Sequence, residues 1–343
     1  MSESEGTWRC QMLYGQLVAI DSKTLKPGPD LAKSWDMNGL VFTFHLQDNI
    51  KFSDGSPLTA DDIVFTLEGI VSKKSASPNQ SYFLSIQGAN DFANGTADSI
   101  SGVKAVDPQT VQITLAKPDA SFLFNCRLVC PLPSKQLQGA DLSAATKITF
   151  FQKPVGAGPF KFVSWNVGGD FVAERNTYYY GAPMPYLDKF THRVIADSDS
   201  LVNALLSGGI DGSIYPDPGG AQQLKAVSDL NVLVPPFGEI DGWYFNFKNP
   251  YLAKREVRQA VAYAMDMEQF SKDSLYGLGA PAVGPLIPGN YAFDKALKPW
   301  PYDLDKAKSL LQQAGTPPSG IKFACNQGNV LRQDFLTYTQ SQL

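Results

Sequence analysis

Histidine is nearly absent from this chain of 343 residues: there are two, His45 and His192, beside four cysteines, Cys10, Cys126, Cys130 and Cys325. No H-E-x-x-H segment and no Cys/His spacing of a zinc site occurs. No G-x-S-x-G elbow presents a nucleophile. Four scattered cysteines do not make a disulfide framework. Cys126 and Cys130 are close enough in sequence for a bridge, and buried free thiols are the plainer reading. Charge of one sign is also lacking. Charged residues make up 18% of the chain, the formal net charge is −4, and lysine and arginine form no cluster. A nucleic-acid partner is therefore excluded, because phosphates require a basic face. No apolar run approaches the roughly 20 residues of a membrane span. The start, Met1-Ser2-Glu3-Ser4-Glu5, has neither the basic residues nor the apolar stretch of an export signal. Internal repeats and low-complexity tracts are missing too.

What is present suits a folded α/β protein. Apolar residues reach 43%, aromatics 12%, and 29 glycines and 24 prolines supply many turns. At roughly 150 residues per domain the length predicts two domains. Residues 13–20 are apolar and β-prone. Residues 41–46 alternate Val41/Thr43/His45 with Phe42/Phe44/Leu46, the period of a strand, and residues 50–52 continue in the same manner. Turn chemistry at Ser53-Asp54-Gly55-Ser56-Pro57 precedes Thr59, which caps a predicted helix with Asp61 and Asp62 in its first turn and Ile63, Val64, Leu67, Ile70 and Val71 on one stripe. A polar loop is expected over 72–81, and paired strands over 103–106 and 111–115. Another strand is expected over 160–165. A strand at 194–196 leads to a helix from Ser198 or Asp199 bearing Leu201, Val202, Leu205 and Leu206; Gly208-Gly209 ends it, and Ile210-Asp211-Gly212 turns toward a strand. Residues 243–247 read as a strand buried on both faces. Helices follow with Val257, Ala260, Val261, Ala264 and Met265 on one face, then from Asp303 to Gly315. The last segment, 330–343, has helical character.

The motifs with chemical potential have plainer structural readings. His45 belongs to an alternating strand, where it serves at the surface or across strands. Gly156-x-Gly158 precedes a strand rather than a helix, so a tight turn accounts for it better than a dinucleotide site. Asp197-x-Asp199 lacks the further ligands of a calcium loop and fits a helix cap. Helix-terminal electrostatics explain Asp61-Asp62. Cys126-x3-Cys130 sits among apolar residues and is weak evidence for metal. Trp243 and Tyr244, adjacent on a strand, point to opposite faces, so one can face a cleft.

Leu31-Ala32-Lys33-Ser34-Trp35, Phe42-Thr43-Phe44-His45-Leu46 and Lys51-Phe52-Ser53-Asp54-Gly55-Ser56-Pro57-Leu58-Thr59-Ala60-Asp61-Asp62 together resemble the signature region of family 5 extracytoplasmic solute-binding proteins, the peptide-, oligopeptide- and nickel-binding components of ABC importers. Further segments match in order: Pro154-Val155-Gly156-Ala157-Gly158-Pro159-Phe160, Pro185-Tyr186-Leu187-Asp188 and Gly208-Gly209-Ile210-Asp211. Then come Tyr244-Phe245-Asn246, Val257-Arg258-Gln259-Ala260 and Ala262-Tyr263-Ala264-Met265-Asp266. Tyr276-Gly277, Tyr302-Asp303 and Ala314-Gly315 complete the series. The resemblance covers nearly the whole chain.

It implies an α/β, two-lobed periplasmic-binding-protein-like fold of class II type, with a subdomain inserted in the first lobe. Residues 1–17 and 151–240 would form lobe I, 18–150 the insert, and 241–343 part of lobe II. Solute would bind between the lobes. The family continues well past a position like Leu343, so the resemblance also implies a C-terminally truncated chain with an incomplete second lobe. The implied function is capture of di- or oligopeptides for an ABC importer, without catalysis and without a cofactor or metal of its own. The partners would be a peptide or similar solute and permease subunits, in the periplasm or another extracytoplasmic site. Membrane contact would come only through a permease or a lipid anchor. By likeness, Trp8, Arg9 and Gln11 before the first helix, Phe83, Cys126, Arg127, Trp243 and Tyr244 are candidates to face the solute. Within the family a nickel chelate or oligosaccharide is an alternative. Outside it stand a peptide or ester hydrolase, disfavoured by the missing elbow and scarce histidines, and a non-transporting receptor.

Overall fold

The chain enters its fold through a helix whose inward face is not purely apolar. The computed structural model describes residues 4–140, 148–214, 216–234, 240–288, 290, 292–315, 321–326 and 328–343, with residues 4–8 and 149 described by their backbone only. Helix α1 spans Ser4–Leu13. Arg9 and Leu13 stand one turn apart and both are buried, so a charge interrupts the stripe by which an amphipathic helix is recognised. Residues 8–11, expected to precede the first helix, lie inside it, which corrects that reading. A two-stranded antiparallel ribbon follows, β1 (Val18–Ile20) with β2 (Pro27–Pro29).

Two compact units divide the chain, Met1–Val194 and Ile195–Leu343. The first is built around an antiparallel sheet of β3 (Ala32–Asn38), β4 (Val41–Leu46), β5 (Val103–Asp107) and β6 (Thr110–Thr114), in the order β3-β4-β6-β5. The alternation of β4 does what its period requires: Phe42, Phe44 and Leu46 are buried while Val41, Thr43 and His45 are half-buried. Helix α2 (Ala60–Val71) covers the sheet with Ile63, Leu67 and Val71 fully buried, and Val64 and Ile70 pack beside them. The strand expected at 50–52 is reduced to a single bridge between Lys51 and Pro57, because the turn returns the chain at once through Phe52 N–H to Ser56 O at 2.8 Å. The loop expected over 72–81 contains 3-10 turns at Lys73–Ser75 and from Gln80. Short helices α3 (Ala89–Asn94), α4 (Phe122–Asn125), α5 (Ser134–Leu137) and α6 (Thr149–Gln152) close this part.

A second sheet, β7 (Phe160–Trp165), β8 (Phe171–Arg175) and β9 (Lys189–His192), runs antiparallel in that order. It has its own core. Leu13 and Tyr14 at the end of α1 pack with Phe160, Phe171 and Ala173, whereas the larger core runs from Leu17 to Ala157. Gly156 and Gly158 make the join possible. A Cβ on Gly156 would stand 2.1 Å from the Leu13 carbonyl oxygen, and one on Gly158 2.5 Å from that of Met12. These glycines serve close backbone approach to the end of α1.

The second unit contains α7 (Ser198–Leu206), α8 (Pro218–Lys225), α9 (Arg255–Ala264), α10 (Met267–Asp273), α11 (Leu304–Ala314) and α12 (Val330–Gln342). Asp197, Asp217, Asp266, Asp303 and Asn329 each accept a backbone N–H at a helix start, offsetting the unpaired amides there. Helices α9 and α11 pack through Ala260, Ala264, Ala307 and Leu310. The strand expected to be buried at 243–247 is a correction. That segment is in no sheet, and Tyr244 and Phe247 are 96% and 65% exposed. Aromatic content favours a strand, but main-chain pairing makes one, and 242–245 form no main-chain hydrogen bond among the described residues. Residues 194–196 and those after Ile210 likewise form no strand among the described residues.

Candidate functional site

In the first unit the distinctive chemistry gathers on α1. Leu13 anchors the helix in the smaller core, and this holds Arg9 one turn earlier against the second sheet. The Arg9 guanidinium lies 5.1 Å from the ring centroid of Trp165, the last residue of β7. Its Nη1 donates to Nδ1 of His192 on β9 at 3.3 Å. An arginine has only donors, so His192 presents a lone pair on that nitrogen. Arg9 is 8% exposed, yet its Nε has no acceptor among the described residues. A buried cation with an unused donor is costly, and an anionic group would relieve that cost with a charge-assisted bond. Trp165, 42% exposed, offers an apolar wall beside it.

The other candidates are dispersed. Gln11 is exposed on the same helix, while the side chain of Trp8 lies outside the described residues. Phe83 and Cys126 are fully buried in the larger core. Arg127 stacks 4.6 Å over Phe124, its Nε buried without an acceptor among the described residues, and burial draws its pKa down. Trp165 and His192 escaped sequence reading. The partners of Arg9 are remote in sequence, His192 by 183 positions, and no local spacing signals such a meeting.

Cysteine chemistry finds no support in these surroundings. Burial pushes the thiols of Cys10, Cys126 and Cys130 up, for Cys10 against the nearby Arg9 charge, so all three remain protonated near neutrality and are poor nucleophiles or ligands. The four cysteines are unbridged. Among the described residues no group of three His, Cys, Asp or Glu side chains is placed to hold a metal ion. His45 pairs across strands with Asp36 at 2.9 Å, the cross-strand role expected of it.

In the second unit a cavity of about 610 Å³ is lined by residues 240–246 and 321–326 and by apolar side chains of α9 and α12. Trp243 stacks on Phe335 at 5.1 Å, meets Phe323 edge-on at 4.8 Å, and donates from Nε1 to Thr339 at 3.1 Å. Tyr244 points to solvent. The pair thus faces opposite ways, with the indole toward the cavity.

Comparison with known proteins adds four findings. The model of bacterial extracellular solute-binding proteins, family 5 Middle, matches residues 26–343. The heme-binding protein A of Haemophilus influenzae is 29% identical over 90% of this chain and 57% of its own length. The oligopeptide-binding protein AppA of Bacillus subtilis is 31% identical over 97% of this chain and 62% of its own length. The crystal structure of that AppA with a nonapeptide superposes with a TM-score of 0.78 at 26% identity, over all of this chain and 68% of the other. The chain therefore spans roughly three fifths of the length of these curated relatives, and its α/β fold is theirs.

Proposed function

Because the chain belongs to the family 5 bacterial extracellular solute-binding proteins, we propose that it serves to capture peptide-class solutes for an ABC importer and does no chemistry on them. The family consists of binding proteins found outside the cytoplasm. One observation carries the reading for this chain: the Arg9 guanidinium, buried between Trp165 and His192 with an unused donor. Every unblocked peptide ends in a carboxylate, whatever its side chains. A cation at a fixed place therefore recognises the class without reading the sequence. The heme-binding relative warns against choosing a narrower solute by likeness alone.

In this reading the loaded protein delivers its solute to permease subunits in the periplasm or at the outer surface. No described helix is long and apolar enough to cross a membrane. Residues 18–150 form an insert, 1–17 with 151–240 the remainder of the first lobe, and 241–343 part of the second. The separation of the Leu17–Ala157 core from the Leu13, Tyr14 and Phe160 cluster supports the insert. Of the candidate residues we carry Arg9 forward as the carboxylate partner.

Calorimetric titration with di-, tri- and oligopeptides, each as free acid and as C-terminal amide, tests the proposal. Acids should bind at least about tenfold tighter than amides, the 1.4 kcal/mol of one charge-assisted bond. Arg9→Gln should remove that difference while the fold is retained. Equal binding of acids and amides overturns the role of Arg9, and failure of every peptide overturns the solute class. Mass spectrometry of the released solute should return it intact; cleavage products would establish an enzyme instead.

A further inference from the structure

Three cations of the second sheet are matched with carboxylates. Lys161 on β7 pairs with Glu174 at 2.9 Å, Arg175 on β8 with Asp188 at 2.8 Å, and Arg193, just after β9, with Asp170 at 3.2 Å. Arg9, held against the same sheet by α1, meets rings instead. The Trp165 ring centroid lies 5.1 Å from its guanidinium carbon, and His192 Nδ1 lies 3.3 Å from its Nη1. Both rings belong to one row across the sheet. Trp165 stands opposite Phe171 in the register of β7 and β8, and Phe171 opposite His192 in that of β8 and β9. Directly opposed residues of neighbouring strands share a face. Phe171, in the middle of the row, is 3% exposed and packs with Leu13 at the end of α1. Trp165 is its open end, 42% exposed.

An exposed indole beside a cation with an unused N–H suits a group that is anionic at one point and apolar next to it. Where Arg9 takes a peptide carboxylate, the place of the terminal side chain is constrained. The carboxylate oxygen lies about 2.8 Å from Nε in a charge-assisted bond. The side chain springs from the carbon next to that carboxylate, so three bond lengths bring its first atom within roughly 6 Å of Nε. The indole centroid is 5.1 Å from the carbon that carries Nε. Cation and indole are therefore within reach of a single terminal residue. We propose that Trp165 is the specificity-determining residue of this seat, an assignment that rests on the role of Arg9 as carboxylate partner. Its exposed indole receives the side chain of the C-terminal residue of the solute. The protein then selects peptides ending in an aromatic or large aliphatic residue over those ending in glycine. An aromatic ring gains most, because it packs edge-on or offset against the indole.

Calorimetric titration with Ala-Ala-Gly, Ala-Ala-Ala, Ala-Ala-Leu, Ala-Ala-Phe and Phe-Ala-Ala as free acids tests this. Ala-Ala-Phe should bind at least about tenfold tighter than Ala-Ala-Gly, as one aromatic contact allows, with Ala-Ala-Leu between them. Phe-Ala-Ala should gain nothing over Ala-Ala-Ala, since its ring is at the other end. Trp165→Ala should bring Ala-Ala-Phe and Ala-Ala-Gly within about twofold, whereas Trp165→Phe should keep most of their difference. Both variants should retain the helical circular dichroism and still prefer Ala-Ala-Gly to its C-terminal amide. The proposal is overturned if Ala-Ala-Phe and Ala-Ala-Gly bind the wild type alike, or if Phe-Ala-Ala gains as much as Ala-Ala-Phe. It also falls if the preference survives Trp165→Ala. In each of these cases a remaining preference for acid over amide leaves the role of Arg9 standing. If acids and amides bind alike, the role of Arg9 has failed and this proposal falls with it. The wild-type series decides even where a variant does not fold.

Discussion

Asp62 is 4% exposed, and its two carboxylate oxygens bond to two elements at once. Oδ2 accepts the Thr59 amide at 2.8 Å at the start of α2, and Oδ1 accepts the Ser134 amide and hydroxyl at 2.8 and 2.7 Å. Asp61, beside it, is exposed and contributes only to helix-end electrostatics. Asp62→Ala strips four donors, the Thr59 hydroxyl at 3.3 Å among them, of their buried acceptor and should cost about 3 kcal/mol in urea unfolding. Asp61→Ala should cost about 0.5 kcal/mol. Equal costs would mean that Asp62 acts only as a helix-start acid. Asp30 carries a pH dependence of its own. Burial raises its pKa, against the bonds donated by the Tyr180 hydroxyl and the Gln16 amide. The folded chain then holds this proton where the unfolded chain has released it. Its stabilising contribution is full below the unfolded value of about 3.9 and is lost as pH rises through the raised folded value. Asp30→Asn should therefore flatten the decline of Tm above pH 4. Parallel profiles for the two proteins would refute the assignment. Asp54 and Asp119 run the other way. Desolvation acts to raise them, but bonds from Ser56 and Gln136, and from Ser121 and Ser85, outweigh it. Their contributions are lost only as pH falls through their lowered values.

At the scale of elements, the place of α1 depends on two glycines 143 and more residues away. Gly158 N–H donates to the Leu13 carbonyl at 2.8 Å, and a Cβ on Gly156 would meet that carbonyl oxygen at 2.1 Å and the Tyr14 Cα at 3.0 Å. Both neighbours are backbone and cannot turn aside. Gly156→Ala should cost about 3 kcal/mol and displace Arg9 from Trp165. Gly28→Ala, where the nearest atom would be 4.0 Å away, should stay within about 0.5 kcal/mol; thermal melts of the two variants decide. The same contrast of local and remote causes explains what the amino-acid pattern discloses. Strand β4 and helices α2, α9 and α11 were legible because alternation, caps and stripes are written in neighbouring residues. Residues 243–247 misled for the same reason: their aromatics favour a strand, but the segment belongs to no sheet, since a strand partner is never encoded in the strand itself. Arg9 came from likeness to a family, while Trp165 and His192 reach it only through the sheet of β7, β8 and β9.

Across the whole molecule the two units differ in what holds them. The largest fully buried side chains, among them Phe44, Phe52, Phe83, Phe122, Leu17 and Ile63, all belong to the first unit. The clusters of the second are Ala260, Ala264, Ala307 and Leu310, and Tyr251, Val257 and Ala314. Burial of a Phe or Leu contributes about 1.5–3 kcal/mol, and an alanine methyl about 0.8. The second unit also exposes Ile214, Leu233, Val234, Tyr244 and Phe247. Urea should therefore unfold it first, giving two transitions when exchange is followed peptide by peptide. Protease should cut first within residues 195–343. A single transition reported by peptides of both units would show that the two cores unfold as one, and the difference in their buried side chains would then not govern stability.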